Sequence, residues 1–136
     1  MNKYSSLYKD VYSIFGAIGW MTEGIKTVPE NFVGSSIGNT YVRVAIVASG
    51  QTVVNPPRSV AGQLMIDIFI PAGGGSNETT RIADKLDDYL AGKTIKTNDG
   101  GSTQLGYSNL VSMGNDKANP SLYRSSYSIP FNYYGI

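Results

Sequence analysis

The chain contains neither cysteine nor histidine. Without cysteine there is no disulfide framework, no thiolate nucleophile and no thiolate-ligated zinc. Without histidine there is no Ser-His-Asp triad and no imidazole-bound metal. Nor does any side chain titrate near neutrality at its ordinary pKa. Charge is scarce too, at 15% of residues against a typical ~25%. A formal net charge of +1 supplies no basic field for duplex nucleic acid or an anionic membrane. No window approaches the ~20 consecutive apolar residues of a membrane-spanning helix. The first segment, MNKYSSLYKDVYSIF, has no apolar core of a signal peptide and carries Lys9 and Asp10 inside its pattern. A soluble protein made in a cytoplasm is expected.

What is present fits one domain over residues 1–136, long enough for a single hydrophobic core. Sixteen glycines and ten tyrosines are high counts, and they point to many turns and to half-wet aromatic surfaces. The stretch Gly62 to Leu90 organises the rest. It reads as a buried strand, a glycine turn and an amphipathic helix.

Before it, Tyr4, Leu7, Tyr8, Val11, Phe15 and Ile18 recur at helical spacing, with Ser5, Ser6, Lys9, Asp10 and Ser13 opposite. This predicts a first helix that frays or stops at Gly16 and Gly19. Trp20 would lie just past its end, sealing the core or serving as an exposed anchor. Met21 to Asn39 shows no period and reads as a long loop, punctuated by Pro29 and longer than a compact domain usually spends. Tyr41 to Ala48 is β-branched and reads as a strand. Pro56 and Pro57 then interrupt any ladder and predict a protruding loop.

In Leu64 to Ile70 both faces are largely apolar, as in a central strand. Asp67 is the exception. A carboxylate there needs a cation, and Arg43 on the preceding strand is the candidate partner; catalytic acid or base is the alternative role. Gly73, Gly74 and Gly75 lead into the second helix. They suggest a phosphate cradle, but the spacing matches neither G-x-x-x-x-G-K-[ST] nor G-x-G-x-x-G, and a packing turn is the expectation.

Ser76 or Asn77 can cap that helix. Ile82, Leu86, Tyr89 and Leu90 form its buried stripe, and Gly92 stops it. Arg81, Asp84, Lys85, Asp87 and Asp88 occupy the outer face. The three aspartates could hold a divalent cation, but a solvated face with local ion pairs is the commoner outcome.

Asn98 to Gly101 predicts a hairpin turn. Leu105 to Met113 reads as one strand. The final strand alternates Tyr123, Tyr127, Ile129, Phe131 and Tyr133 against Arg124, Ser126, Ser128 and Asn132. Pro130 places it at a sheet edge or interrupts its ladder. Tyr133 and Tyr134 form an aromatic tail that either packs on its own domain or meets a partner. The expected class is α+β, in the order α-β-β-α-β-β. It has a mostly antiparallel sheet of four strands, or slightly more, and two helices.

Read together, several segments resemble the tail terminator (minor tail protein U-like) family of long-tailed bacteriophages. They are PENF at Pro29 to Phe32, YVRVAIVA, GQLMIDIFIPAGGG, the helix carrying RIADKLDDYL, and the closing SYSIPFNYY. The resemblance implies a structural virion protein, not an enzyme, with no cofactor and no metal. It would form a homo-oligomeric ring, typically hexameric, at the head-proximal end of the tail, assembled in the host cytoplasm. Such a ring caps the tail tube, stops tube-protein polymerisation and joins the tail to head–tail connector proteins. DNA passes through its lumen without sequence-specific binding, and no membrane is involved.

A ring needs two different matching patches. The residues considered for them are Arg81, Asp84, Lys85 and Asp88, the loop at Pro56 and Pro57, and Tyr133 and Tyr134. A head–tail connector or adaptor is the neighbouring alternative. A single-stranded nucleic-acid-binding domain is the alternative of another class, although Tyr127 and Phe131 lack the basic residues of an RNA-recognition motif.

Overall fold

The computed structural model describes residues 3–29, 40–50, 59–73, 75, 77–96, 100–117 and 121–135. The calls made on Phe32, Pro56, Pro57, Gly74, Ser76 and Asn98 lie outside the described residues.

Among the described residues ten elements follow one another: α1 (Lys3–Phe15), α2 (Ile18–Thr22), β1 (Thr27–Pro29), β2 (Tyr41–Gly50), β3 (Ser59–Pro71), α3 (Asn77–Leu90), β4 (Thr94–Lys96), β5 (Ser102–Leu105), β6 (Asn109–Asn115) and β7 (Leu122–Tyr134). The class is α+β. The expected order, the two helices and the sheet of four or slightly more strands are corrected: among the described residues there are three helices and one seven-stranded sheet, mixed because β1 runs parallel to β2 while the other pairings are antiparallel. The strand order is β1-β2-β3-β7-β5-β4, with β6 also pairing β7. β1 is the parallel member, running alongside β2 from Thr27↔Val42 to Pro29↔Val44. It lies in the stretch that sequence read as a loop. Three residues are too few to show a period, which is why it was missed.

The first helix ends earlier than its apolar pattern does. Gly16 and Ala17 break it, and the chain restarts as the five-residue α2. That break turns Ile18 out to solvent instead of continuing the stripe of Leu7, Val11 and Phe15. Trp20 is buried between Phe15 and Tyr89, edge-on to both rings at 5.3 and 5.4 Å. Its indole N–H donates to Thr27 Oγ1 at 2.8 Å, so the buried tryptophan leaves no orphan donor.

β3 is the spine of the sheet. It pairs β2 from Tyr41↔Phe69 to Gly50↔Ala61 and β7 from Ser59↔Tyr134 to Pro71↔Leu122. Because side chains alternate, Leu64, Ile66, Ile68 and Ile70 share one face with Val42, Val44 and Ile46 of β2 and Ile129 and Tyr127 of β7. That face receives Leu7 and Val11 of α1 and Ile82, Leu86 and Leu90 of α3, in one buried cluster. Gly62 is required here. A Cβ at Gly62 would stand 2.1 Å from the Val47 carbonyl oxygen, beside the register shift between Ala48 and Gly50.

The single strand expected over Leu105 to Met113 is two strands, β5 and β6, lying end to end along the outer side of β7. The cause is Pro130. Its carbonyl accepts from Gly106 N at 2.9 Å, and in an extended strand a residue's nitrogen and carbonyl face the same neighbour. The missing N–H therefore points at the join between β5 and β6, where Gly106, Tyr107 and Ser108 leave the ladder. So β7 is an internal strand, and the sequence alternative of an interrupted ladder is what occurs.

Candidate interaction surfaces

The face of the sheet away from the helices carries a polar cluster centred on Asp67. Arg43 and Asp67 are direct cross-strand partners on β2 and β3, and Arg43 Nη2 lies 3.0 Å from Asp67 Oδ2. Arg124 on β7 stands opposite Phe69, one step along, and its Nη2 reaches Asp67 Oδ1 at 3.1 Å. Sequence named Arg43; the second arginine was missed because the β3–β7 pairing brings together residues far apart in the chain. Both carboxylate oxygens are thus engaged by guanidinium groups, and the aspartate is mostly buried. Arg43 also lies 5.0 Å over the Phe69 ring, which stacks on Tyr41 at 4.6 Å. Burial, opposed by Arg43 and reinforced by Asp116 and Asp67, raises the Tyr41 hydroxyl above its ordinary pKa. The cluster is a salt-linked clamp over β2, β3 and β7.

On α3 the predicted outer residues separate. Arg81 and Asp84 are exposed, as is Asp88. Arg81 pairs with Glu78 at 2.6 Å, and that hydrogen bond holds the Glu78 carboxyl below its usual range. Lys85 reaches toward Glu23 of the α2 corner at 3.5 Å, while Tyr89 O–H donates to Glu23 at 2.9 Å. Tyr89, expected in the buried stripe, is half-buried at its margin.

Asp87 corrects the sequence reading, which placed it on the outer face. Its Oδ1 accepts from Tyr127 O–H at 2.6 Å and from Ser108 Oγ at 2.5 Å. Burial above all, and then the hydrogen bond to Asp87, pushes the Tyr127 hydroxyl well above its ordinary value of 10.0. Asp10, also assigned to a solvated face, is buried and accepts from Thr103 Oγ1 at 2.7 Å. Both aspartates tie a helix to the sheet or to its connecting loop through partners that no local pattern reveals. Among the described residues no three histidine, cysteine, aspartate or glutamate side chains converge as a metal site would require.

The two ends of the aromatic tail also differ. Tyr133 is fully buried, with its hydroxyl close above Gly101, so it offers no surface; this is a correction. Alternation puts Tyr134 on the other face, where it is exposed. Apart from Tyr4 and Val47, the exposed apolar side chains that sequence did not single out group on β6 and α2. Tyr107, Leu110, Val111 and Met113 are exposed along β6 and the link before it, and Ile18 and Met21 are exposed on α2. No described helix is long and apolar enough to cross a membrane.

Searches against family models and against curated proteins give no match. Solved structures do. One is a chain from the virion of a native gene transfer agent particle. It superposes with a TM-score of 0.66 over 97% of this chain and 97% of its own, at 14% identity. The two chains share a fold. A second solved structure, whose name carries no functional description, aligns with a TM-score of 0.61 over 98% of this chain and 94% of its own, at 12% identity. At such identities the likeness is one of architecture, and it runs nearly end to end on both chains.

Proposed function

We propose that this chain is a structural virion protein of the tail-terminator type. In this reading it forms a homo-oligomeric ring on the end of the tail tube, ends tube polymerisation and presents the surface that joins tail to head. The observation that carries the reading is the end-to-end fold likeness to a chain of a virion particle. The resemblance of the strand–glycine–helix block to tail terminators narrows it from virion protein to terminator. A non-enzymatic role is supported by the way the acidic side chains are spent. Asp67 is held by two arginines, Asp87 by Tyr127 and Ser108, and Asp10 by Thr103.

The test is assembly. Purified chain is measured by native mass spectrometry and negative-stain electron microscopy, alone and with tail tube protein purified from the same virion. A closed ring with a central hole, or arrest of tube growth at a defined length, is expected. A chain that stays monomeric and leaves tube growth unchanged overturns the terminator role. Binding to the head portal but not to the tube would favour the connector reading instead.

A further inference from the structure

A closed ring requires two different surfaces on each subunit, placed so that one copy's first meets the next copy's second. Of the three outer strands described, β1, β4 and β6, two stand beside groups of exposed apolar side chains. At one edge lies β1, with α2 just before it; at another lies β6, whose described pairing is with β7 alone. From β1 to β6 the path crosses β2, β3 and β7, about 19 Å of sheet at four strand spacings. Each place carries exposed apolar side chains. On β6 and its approach Tyr107 is 80% exposed, Leu110 39%, Val111 49% and Met113 53%; on α2 Ile18 is 83% exposed and Met21 66%.

β6 lacks the charge and the proline that usually defend an open edge. From Gly106 to Asn115 there is no lysine, no proline and no charged residue of either sign. Gly16 to Thr22 on the other flank is equally free of charge. The two patches are therefore matched electrostatically: packing one on the other strands no ion in a dry contact, whereas the face of α3 between them carries Arg81, Asp84, Lys85 and Asp88. A second β6 is the poorer occupant. A register shift at Met113, with Gly114 at φ +89, bends the strand out of regular pairing after Ser112 and leaves a short straight edge for a symmetric ladder.

We infer that the subunits join edge to edge, the β6 edge of one copy, with Leu110 on its helix-covered side, Val111 on the other and Tyr107 and Met113 along it, packing on the α2 corner of the next (Ile18, Met21). This rests on the ring reading and names its contact. The charged face of α3 stays solvated, so the ring survives charge reversal at Asp84 and Asp88.

The chain has no cysteine, so single cysteines report cleanly. Met21→Cys and Val111→Cys are made separately in the full chain and treated with a short bismaleimide crosslinker, alone and mixed. The mixture is expected to give a covalent dimer containing one of each, and neither variant alone to give one. The double variant is expected to give a ladder that stops at the closed species. Ile18→Asp and Met113→Asp, each verified as folded by circular dichroism, are expected to lower the assembled fraction roughly tenfold or more. A dimer from Val111→Cys alone overturns the inference in favour of a symmetric contact. A wild-type ring seen by microscopy without the mixed product, or a ring lost on charge reversal at Asp84 and Asp88, overturns the assignment of surfaces and leaves the ring standing. No ring and no product overturns both.

Discussion

Asp67 shows how a charged residue in an apolar strand is accommodated. Both of its oxygens are held by arginines from the two neighbouring strands. Asp67→Asn would leave Arg43 and Arg124 as like charges with no anion between them. Since the arginines are about one-third exposed, at 33% and 35%, solvent screens part of that cost. The expected loss is about 2 kcal/mol, read as a lower urea midpoint at unchanged m. Arg43→Gln should cost less, because Arg124 keeps one oxygen engaged. Gly62 gives a larger expected effect from a smaller change. Gly62→Ala places a methyl on the Val47 carbonyl, and the strand pair must open, at a cost of about 3 kcal/mol or failure to fold. Soluble yield and thermal midpoint check it.

At the scale of elements, α3 is held to the sheet by its buried stripe and by Asp87. Leu86 is fully buried, so Leu86→Ala should destabilise by about 3 kcal/mol in chemical denaturation. The Asp87–Tyr127 bond adds a dependence on alkaline pH. In the folded chain the Tyr127 hydroxyl keeps its proton well above its ordinary value of 10.0. The unfolded chain releases that proton near 10, so the folded state then binds more protons and stability falls as pH rises beyond 10. Below 10 the contribution is whole. Tyr127→Phe should flatten the fall in stability between pH 10 and 11.5, while costing about 1 kcal/mol at pH 8 from the lost hydrogen bond, with Ser108 still donating to the Asp87 oxygen. Denaturation midpoints across that range decide the matter. The join between β5 and β6 is the other lesson at this scale: one proline without an N–H divides a strand that alternation alone would have run straight through.

For the whole molecule, the sheet has a protected spine and open flanks. β3 and β7 are paired on both sides; β1 is guarded by exposed Lys26 and by Pro29, while the α2 corner before it and the β6 flank present uncharged, partly apolar surface. Monomeric proteins usually guard such edges with charge, proline or cover, so flanks left plain are expected to be used. If they are the ring contacts, assembly should strengthen or hold steady as salt is raised, because the contact is apolar. An interface through the α3 ion pairs would weaken over the same range. Sedimentation velocity between 50 mM and 1 M sodium chloride separates the two.

The sequence by itself determined the amphipathic helices, the strand–glycine–helix unit, the class, and the pairing of Asp67 with Arg43. Each depends on residues close in the chain, where a period of two or of 3.6 or a short cross-strand step is enough to read them. Only the tertiary structure decided the rest. Asp10 and Asp87 look solvent-facing until Thr103 and Tyr127 arrive from distant strands to satisfy them. Tyr133 and Tyr134 look alike in sequence, and the sheet buries one while exposing the other. The second arginine on Asp67, the parallel β1 and the open flank of β6 all follow from which strands neighbour which. That order is set by the packing of the whole core, and no local pattern contains it.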